Sequence, residues 1–190
     1  MTQLNKLLIH QSNIFLAPGH YFHREFNHAL YHELPPLLQK EHNQWLIQQY
    51  SLTLPNERTC LLPTVLSNHW LDLPKIALGL GVILHPTPLP WWGELSQYRI
   101  LHTRLGQSFW QLDSLPLVTP QTLLALGMDQ LLLCLSPFGD IYTHRAKYMF
   151  SNAIQTLARP SIKTMLPWNI IEETCHYVRE NTTQYQADFI

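Results

Sequence analysis

Apolar residues recur along much of the chain at the three- and four-residue spacing of amphipathic α-helices. In LDLPKIALGLGVIL, Pro74 suits the first turn of a helix, where its missing N–H costs no hydrogen bond. Gly79 and Gly81 each weaken such a helix by about 1 kcal/mol relative to alanine. We therefore expect another backbone to approach it closely. The buried face of this helix is predicted to comprise Ile76, Ala77, Leu80, Ile83 and Leu84.

Five further segments show the same spacing or a helix start signal. They are PPLLQKEHNQWLIQQY, WWGELSQYRILHTRL, TPQTLLALGMDQLLLCL, GDIYTHRAKYMFSNAIQTL and LPWNIIEETCHYVREN. The third begins with Thr119 as N-cap and Pro120 in the first turn, and it is apolar nearly all round, as a central helix would be. The pattern predicts a mainly α fold, with six to seven helices in a single domain over residues 1–190.

Three segments lack a clear helical pattern. Residues 51–70 are interrupted by prolines and fit either a short β element or an irregular wrap. Residues 1–34 are predicted to be an irregular, histidine-rich segment that packs on the helical body. Residues 181–190 are predicted to be a frayed tail.

The composition favours contacts with other proteins over binding to nucleic acid. Charged residues make up 13% of the chain, about half the usual ~25%. The 12 basic and 13 acidic side chains give a net charge of −1 and form no basic stripe, so we expect no nucleic-acid partner. A surface covered largely by uncharged groups is poorly protected against association, which is typical of a subunit.

We expect a soluble, cytoplasmic protein without direct membrane insertion. The N-terminal MTQLNKLLIHQSN has too short an apolar run for a signal peptide. The longest apolar segment contains Asp129 and falls short of the ~18 residues of a membrane span. The three cysteines, Cys60, Cys134 and Cys175, lie far apart, which fits buried thiols in a reducing compartment.

The stretch HYFHREFNHALYH, residues 20–32, holds four of the eleven histidines and raises the question of a metal site. His28 and His32 are four residues apart, as two zinc ligands are in H-E-x-x-H enzymes. The glutamate that acts as base in those enzymes is missing, and His20 and His23 would need a tight turn to converge. We predict no metal site, with a small metal-dependent hydrolase as the alternative.

No other pattern predicts catalysis or a cofactor. Cys175 and His176 are neighbours on a helix and therefore point apart, so they cannot form a nucleophile–base pair. Ser136 lacks the G-x-S-x-G turn of hydrolases. The GLG of residues 79–81 lacks the rest of a phosphate-binding motif. The chain is predicted not to be an enzyme.

Trp91 and Trp92 are the candidate interface residues. Successive residues on a helix are turned by about 100°, so adjacent tryptophans cannot both face one core. We expect one to be buried and the other at least partly exposed. An exposed tryptophan is a common anchor of protein interfaces.

Two short patches resemble the SctK family, the YscK-, MxiK- and OrgA-like proteins of bacterial type III secretion systems. IFLAPGHYFHREF is similar to the family's F-x-P-x-Y-x-H type signature through Tyr21 and His23. It departs from the pattern at Arg24 and Glu25, where members often have proline or serine. LPKIALGLG resembles the family's L-P-x-[VI]-A-x-x-L-G helix through Leu73, Pro74, Ile76, Ala77, Leu80 and Gly81.

The resemblance implies a non-enzymatic adaptor of the cytoplasmic sorting platform, peripheral to the inner membrane through its partners. Such a protein links the inner-membrane ring protein (SctD-like) to the pod protein (SctQ-like). Tyr21 and His23 would then anchor the N-terminal segment to the helical body, and mildly acidic pH would weaken this anchor or a partner contact. A secretion chaperone is the second alternative.

Overall fold

The computed structural model describes residues 2–28, 30–86, 88–106, 110–112, 118–162 and 164–182. These residues are mainly α-helical and contain no strand, so the predicted fold class is confirmed. The described helices number ten, more than the six to seven expected, since several are single turns. They are α1 Gln3–Leu16, α2 Arg24–Asn27, α3 Pro36–Gln49, α4 Thr64–Ser67, α5 Leu73–Ile83, α6 Arg99–Leu105, α7 Pro120–Leu135, α8 Asp140–Lys147, α9 Asn152–Thr156 and α10 Trp168–Thr182.

Short 3₁₀ turns connect several of these helices. They are Pro18–His20, Tyr31–Glu33, Trp70–Asp72, Gly93–Tyr98 and Ser136–Phe138. As far as its residues are described, the chain divides into two compact units. The first comprises Met1–Leu71 and Leu135–Gln155, and the second Asp72–Cys134 and Thr156–Ile190. The single domain expected from the sequence stays a prediction.

The N-terminal segment is more regular than we expected for residues 1–34. The Thr2 side chain accepts a hydrogen bond from the Asn5 N–H at 3.2 Å and caps α1, which continues to Leu16. The helix forms because apolar side chains at helical spacing are buried, among them Leu7, Ile14 and Phe15. Apart from a kink at Gln11, where φ is −133° and ψ is 18°, the irregular part begins after α1.

Residues 51–70 form no strand, and the irregular alternative describes residues 51–63. Pro55 and Pro63 have no N–H to offer a sheet. The side chain of Gln11 on α1 takes the place of a pairing strand, because its Nε2 donates to the Leu62 carbonyl at 2.8 Å and its Oε1 accepts from the Leu62 N–H at 3.3 Å. The Tyr142 hydroxyl lies 2.8 Å from the same Oε1 and 2.7 Å from the Cys60 carbonyl. The wrap is thus fixed by side chains of the first unit.

Helix α5 is the central element of the second unit and packs against α6, α7 and α10. At Gly81 an added Cβ would lie 1.9 Å from the Leu123 carbonyl oxygen, and at Gly127 one would lie 1.6 Å from that of Ala77. The two helices can pass this closely because both positions are glycine and carry no Cβ. The expected approach of a second backbone is confirmed at Gly81, whereas the nearest contacts of Gly79 are side chains, led by Thr174 Cγ2 at 3.0 Å.

Helix α7 has the limits that the sequence predicted, and together with the turn after it forms a long apolar stretch. Pro120–Phe138 is long enough to cross a membrane by length and composition, with a mean hydropathy of 1.2, so the expected shortfall in length was wrong. Half of the stretch is buried within the protein, however, and the core helices of soluble proteins can have the same length and hydropathy. Asp129 in its middle forms a bidentate ion pair with Arg159, both contacts being 2.6 Å. We therefore interpret α7 as a core helix.

Several predicted helices differ in their limits. Thr119 caps α7 as expected, its Oγ1 accepting from the Thr122 N–H at 3.1 Å. The segment after Trp92 begins as a 3₁₀ turn before α6, and the predicted helix after Gly139 is split into α8 and α9. Of the predicted tail, residues 181–190, only 181 and 182 are described, as the end of α10. Residues 183–190 lie outside the described part.

Candidate protein-interaction surfaces

Tyr21 and His23 hold the end of α1 against the rest of the first unit. The Tyr21 ring is buried against Trp70, and its hydroxyl donates to the Ile14 carbonyl at 2.6 Å. Burial raises the pKa of Tyr21 well above its usual value, so the phenol stays neutral. The His23 N–H donates to the Tyr148 carbonyl at 2.8 Å, and its Nδ1 caps α2 by accepting from the Glu25 N–H at 3.3 Å. Both motif residues occupy structural positions.

Of the four clustered histidines, His20 and His32 lie side by side, whereas His23 and His28 have other partners. The rings of His20 and His32 are 5.8 Å apart, His23 caps α2, and His28 packs edge-on against Trp45. In the part of the chain that the structure describes, no three His, Cys, Asp or Glu side chains are placed to hold a metal ion. The geometry gives the metal-dependent alternative no ligand set among these residues.

Two histidines, His28 and His42, lie against Trp45 of α3. The rings of His42 and Trp45 stack at 5.5 Å, and His42 Nε2 donates to Asn27 Oδ1 at 2.7 Å. Three large apolar side chains of α3 are exposed, Leu37 by 68%, Leu38 by 46% and Trp45 by 41%. We call these three residues the α3 surface. A helix that leaves so much apolar area uncovered is typical of a docking element.

The stability of the protein is expected to fall at mildly acidic pH. Burial lowers the pKa of His20, and the neighbouring His32 lowers it further; burial also lowers the pKa of His23 and of His144. Between their lowered pKa values and the ordinary value of about 6.5, the unfolded chain binds more protons than the folded one. Stability is therefore complete above about pH 6.5 and is lost as the pH falls through the folded pKa values.

Urea unfolding at pH 7.5 and pH 5.5 measures this dependence. We expect a lower midpoint at pH 5.5, and a smaller difference between the two conditions in His20→Gln, which cannot be protonated. A pH dependence unchanged by His20→Gln would contradict the role given to His20.

The second motif lies on α5. Leu73, Ile76, Ala77, Leu80 and Gly81 are buried, and Pro74 is half-buried in the first turn. Their burial and the Gly81 contact explain why this spacing of apolar and small residues suits a central helix. None of them offers a surface to a partner.

Trp91 and Trp92 precede the 3₁₀ turn and are not on a helix. Trp92 is 71% exposed, and Trp91 is half-buried with its ring 5.3 Å from that of His102. Trp91 lines a cleft of about 520 Å³, together with Pro86, Pro88, Arg99, His102 and Thr103. We call this the Trp91 cleft. Trp92 is exposed as expected, but Trp91 is not fully buried, and the difference arises from a non-helical segment and not from helical geometry.

The buried cysteines are poorly suited to nucleophilic chemistry. Burial raises the pKa of Cys134 and of Cys175 to about 12, so both thiols stay protonated. Cys60 is exposed in the irregular wrap of the first unit.

Sequence reasoning missed the partners that define these surfaces. The sequence pattern predicted a helix for Arg99 and His102 of the Trp91 cleft but no contact with Trp91, and it predicted no role for Gln11 or Gly127. A basic residue eight positions after a tryptophan carries no signal by itself, since its neighbours are set by the turn between them.

None of three comparisons gave a match for this chain: no protein-family model, no curated protein and no solved structure.

Proposed function

We propose that this chain is a non-enzymatic cytoplasmic adaptor of a bacterial type III secretion sorting platform. It links an inner-membrane ring protein of SctD type to a pod protein of SctQ type. The observation that carries the adaptor role is the α3 surface, where Leu37, Leu38 and Trp45 leave a helix face uncovered. The assignment to the sorting platform rests on the two SctK-like sequence patches.

The positions of the two patches support this division of roles. The motif residues on α5 are buried except for the half-buried Pro74, Tyr21 is buried and His23 caps α2, so they serve the fold of the chain. A partner must then be met by other residues. The α3 surface offers exposed apolar side chains, and the His42 ring stacks on Trp45, which suits burial in a protein interface.

Co-purification from the native cells tests the proposal. The untagged chain, isolated with an antibody at neutral pH, is expected to bring down both a ring protein and a pod protein of a secretion apparatus. Recovery of neither would overturn the sorting-platform assignment. A stable dimer holding an unfolded segment of an exported protein would indicate a chaperone, and stoichiometric zinc lost on substitution of His28 and His32 would indicate the hydrolase.

Charge introduced on α3 tests the docking surface itself. The double variant Leu37→Glu/Leu38→Glu is expected to reduce recovery of a partner at least tenfold, because two carboxylates would have to be desolvated in an apolar interface. Both side chains are exposed, so the thermal unfolding midpoint should stay near that of the wild type. Gln121→Glu, at an exposed position of α7, is the control. Equal recovery with the double variant and the control would place the docking surface elsewhere.

A further inference from the structure

The Trp91 cleft combines a flat apolar wall with a basic side chain. Trp91, Pro86 and Pro88 supply rigid apolar groups, while Arg99, His102 and Thr103 supply polar ones. No aspartate or glutamate is among the described residues that line it. At about 520 Å³ the cleft has room for a few side chains of a peptide and is in the range of ordinary ligand sites.

Arg99 is the cation of this cleft and has no carboxylate partner among the described residues. Three other basic side chains of the second unit are paired: Lys75 with Asp72, Arg104 with Glu173 and Arg159 with Asp129. Arg99 is exposed at the start of α6. Its guanidinium fork is therefore free to bind a carboxylate by two parallel hydrogen bonds.

A hydrogen bond fixes the orientation of His102, three residues after Arg99 on α6. Its Nε2 lies 3.2 Å from the His85 carbonyl oxygen, which can only accept, so Nε2 carries the proton. The imidazole is thereby held 5.3 Å from the Trp91 ring. Trp91 and His102 thus form an aromatic pair in the same cleft as Arg99.

We infer that the Trp91 cleft binds an acidic peptide segment of a partner protein. An aspartate or glutamate of the segment pairs with Arg99, and an adjacent apolar or proline residue packs on Trp91. The inference rests on the proposed adaptor role, because it specifies the kind of partner segment that the adaptor would bind in this cleft. It concerns a surface of the second unit that is separate from the α3 surface, so the two can fail independently.

Selection from a random library of 12-residue displayed peptides tests the inference on the full chain. We expect the selected peptides to be enriched in aspartate or glutamate next to an apolar residue. Arg99→Gln and Trp91→Ala should each weaken their binding about tenfold or more, as loss of a charged bidentate contact or an aromatic anchor does. Arg104→Gln, on the same helix, is the matched control and should bind like the wild type.

Charge reversal gives the sharpest outcome. Library selection on Arg99→Glu should favour lysine or arginine in place of acidic residues, provided that its circular dichroism matches the wild type. Peptides without acidic enrichment, or acidic peptides that bind Arg99→Gln and wild type equally, would overturn the inference. Co-purification of ring and pod proteins with Arg99→Gln would leave the adaptor role standing, so failure of the cleft and failure of the proposed function are distinguishable.

Discussion

Gly127→Ala is expected to destabilise the second unit by about 3 kcal/mol, the upper end of the usual cost of overpacking. The added Cβ would lie 1.6 Å from the Ala77 carbonyl oxygen and 2.8 Å from the Gly81 nitrogen. These are backbone atoms of a neighbouring helix, which cannot rotate away as a side chain can. In a helix that is exposed to solvent, the same substitution would stabilise by about 1 kcal/mol. The sign of the change therefore reports whether α5 and α7 cross at these glycines.

Urea unfolding followed by circular dichroism measures the effect. Gln121→Ala, at an exposed position of the same helix, is the control and should leave the midpoint nearly unchanged. A Gly127→Ala variant as stable as this control would show that the crossing is looser than described. Gly81→Ala meets the Leu123 carbonyl at 1.9 Å, so it should also destabilise. The double variant should cost less than the sum, because the first added methyl already separates the helices for the second.

The glycine crossing shows how far sequence reasoning reaches in this chain. The apolar period around Ile76 and Leu80 predicted α5, and glycine inside that period predicted a close backbone. The partner was not predictable, because Gly127 is one glycine in a helix that is apolar on nearly every side. Which face of α7 meets α5 is decided by the packing of the whole unit. Local pattern thus defined the helix, and tertiary contact selected its neighbour.

For the candidate surfaces, too, local sequence pattern predicted the general character and tertiary contacts decided which residues meet. The sparse charge of the chain predicted an uncharged contact surface, and the α3 surface fits that expectation. The histidine spacing suggested convergence on an ion, yet the turns after α1 send His23 to cap α2 and His28 to Trp45. Spacing along the chain reports a shared face only within one regular helix. His28 has a φ of 55°, which ends α2 there and removes the helical relation to His32.

Trp91 and Trp92 differ in exposure, but for another reason than the sequence suggested, and Trp91 is only half-buried. Helical geometry predicted that the two rings diverge, but the residues precede a 3₁₀ turn that begins at Gly93 with a φ of 56°. Pro86, Pro88 and Pro90 disfavour a helix in the segment that leads to the two tryptophans. The proline run was a usable signal, and it marks the wall of the Trp91 cleft.

Gln11→Met is expected to destabilise the first unit by about 3 kcal/mol, since two buried backbone groups lose their partners at once. Gln11 is 3% exposed and holds both the N–H and the carbonyl of Leu62. Methionine has nearly the same volume, so little cavity is created and the loss comes from unsatisfied polar groups. Gln44→Met, on the exposed side of α3, replaces the same amide without burying anything.

Hydrogen exchange at the Leu62 amide distinguishes release of the wrap from a general loss of stability. If Gln11 acts as the substitute for a pairing strand, this amide should exchange faster in Gln11→Met than the change in global unfolding free energy explains. Amides in the middle of α8 should follow the global change alone. The Tyr142 hydroxyl, 2.7 Å from the Cys60 carbonyl, does not depend on Gln11 for this contact, so we expect the wrap to loosen at Leu62 first. Equal stability of Gln11→Met and Gln44→Met would mean that residues 51–63 are held by their apolar contacts, with Leu62 in the core, and not by the amide of Gln11.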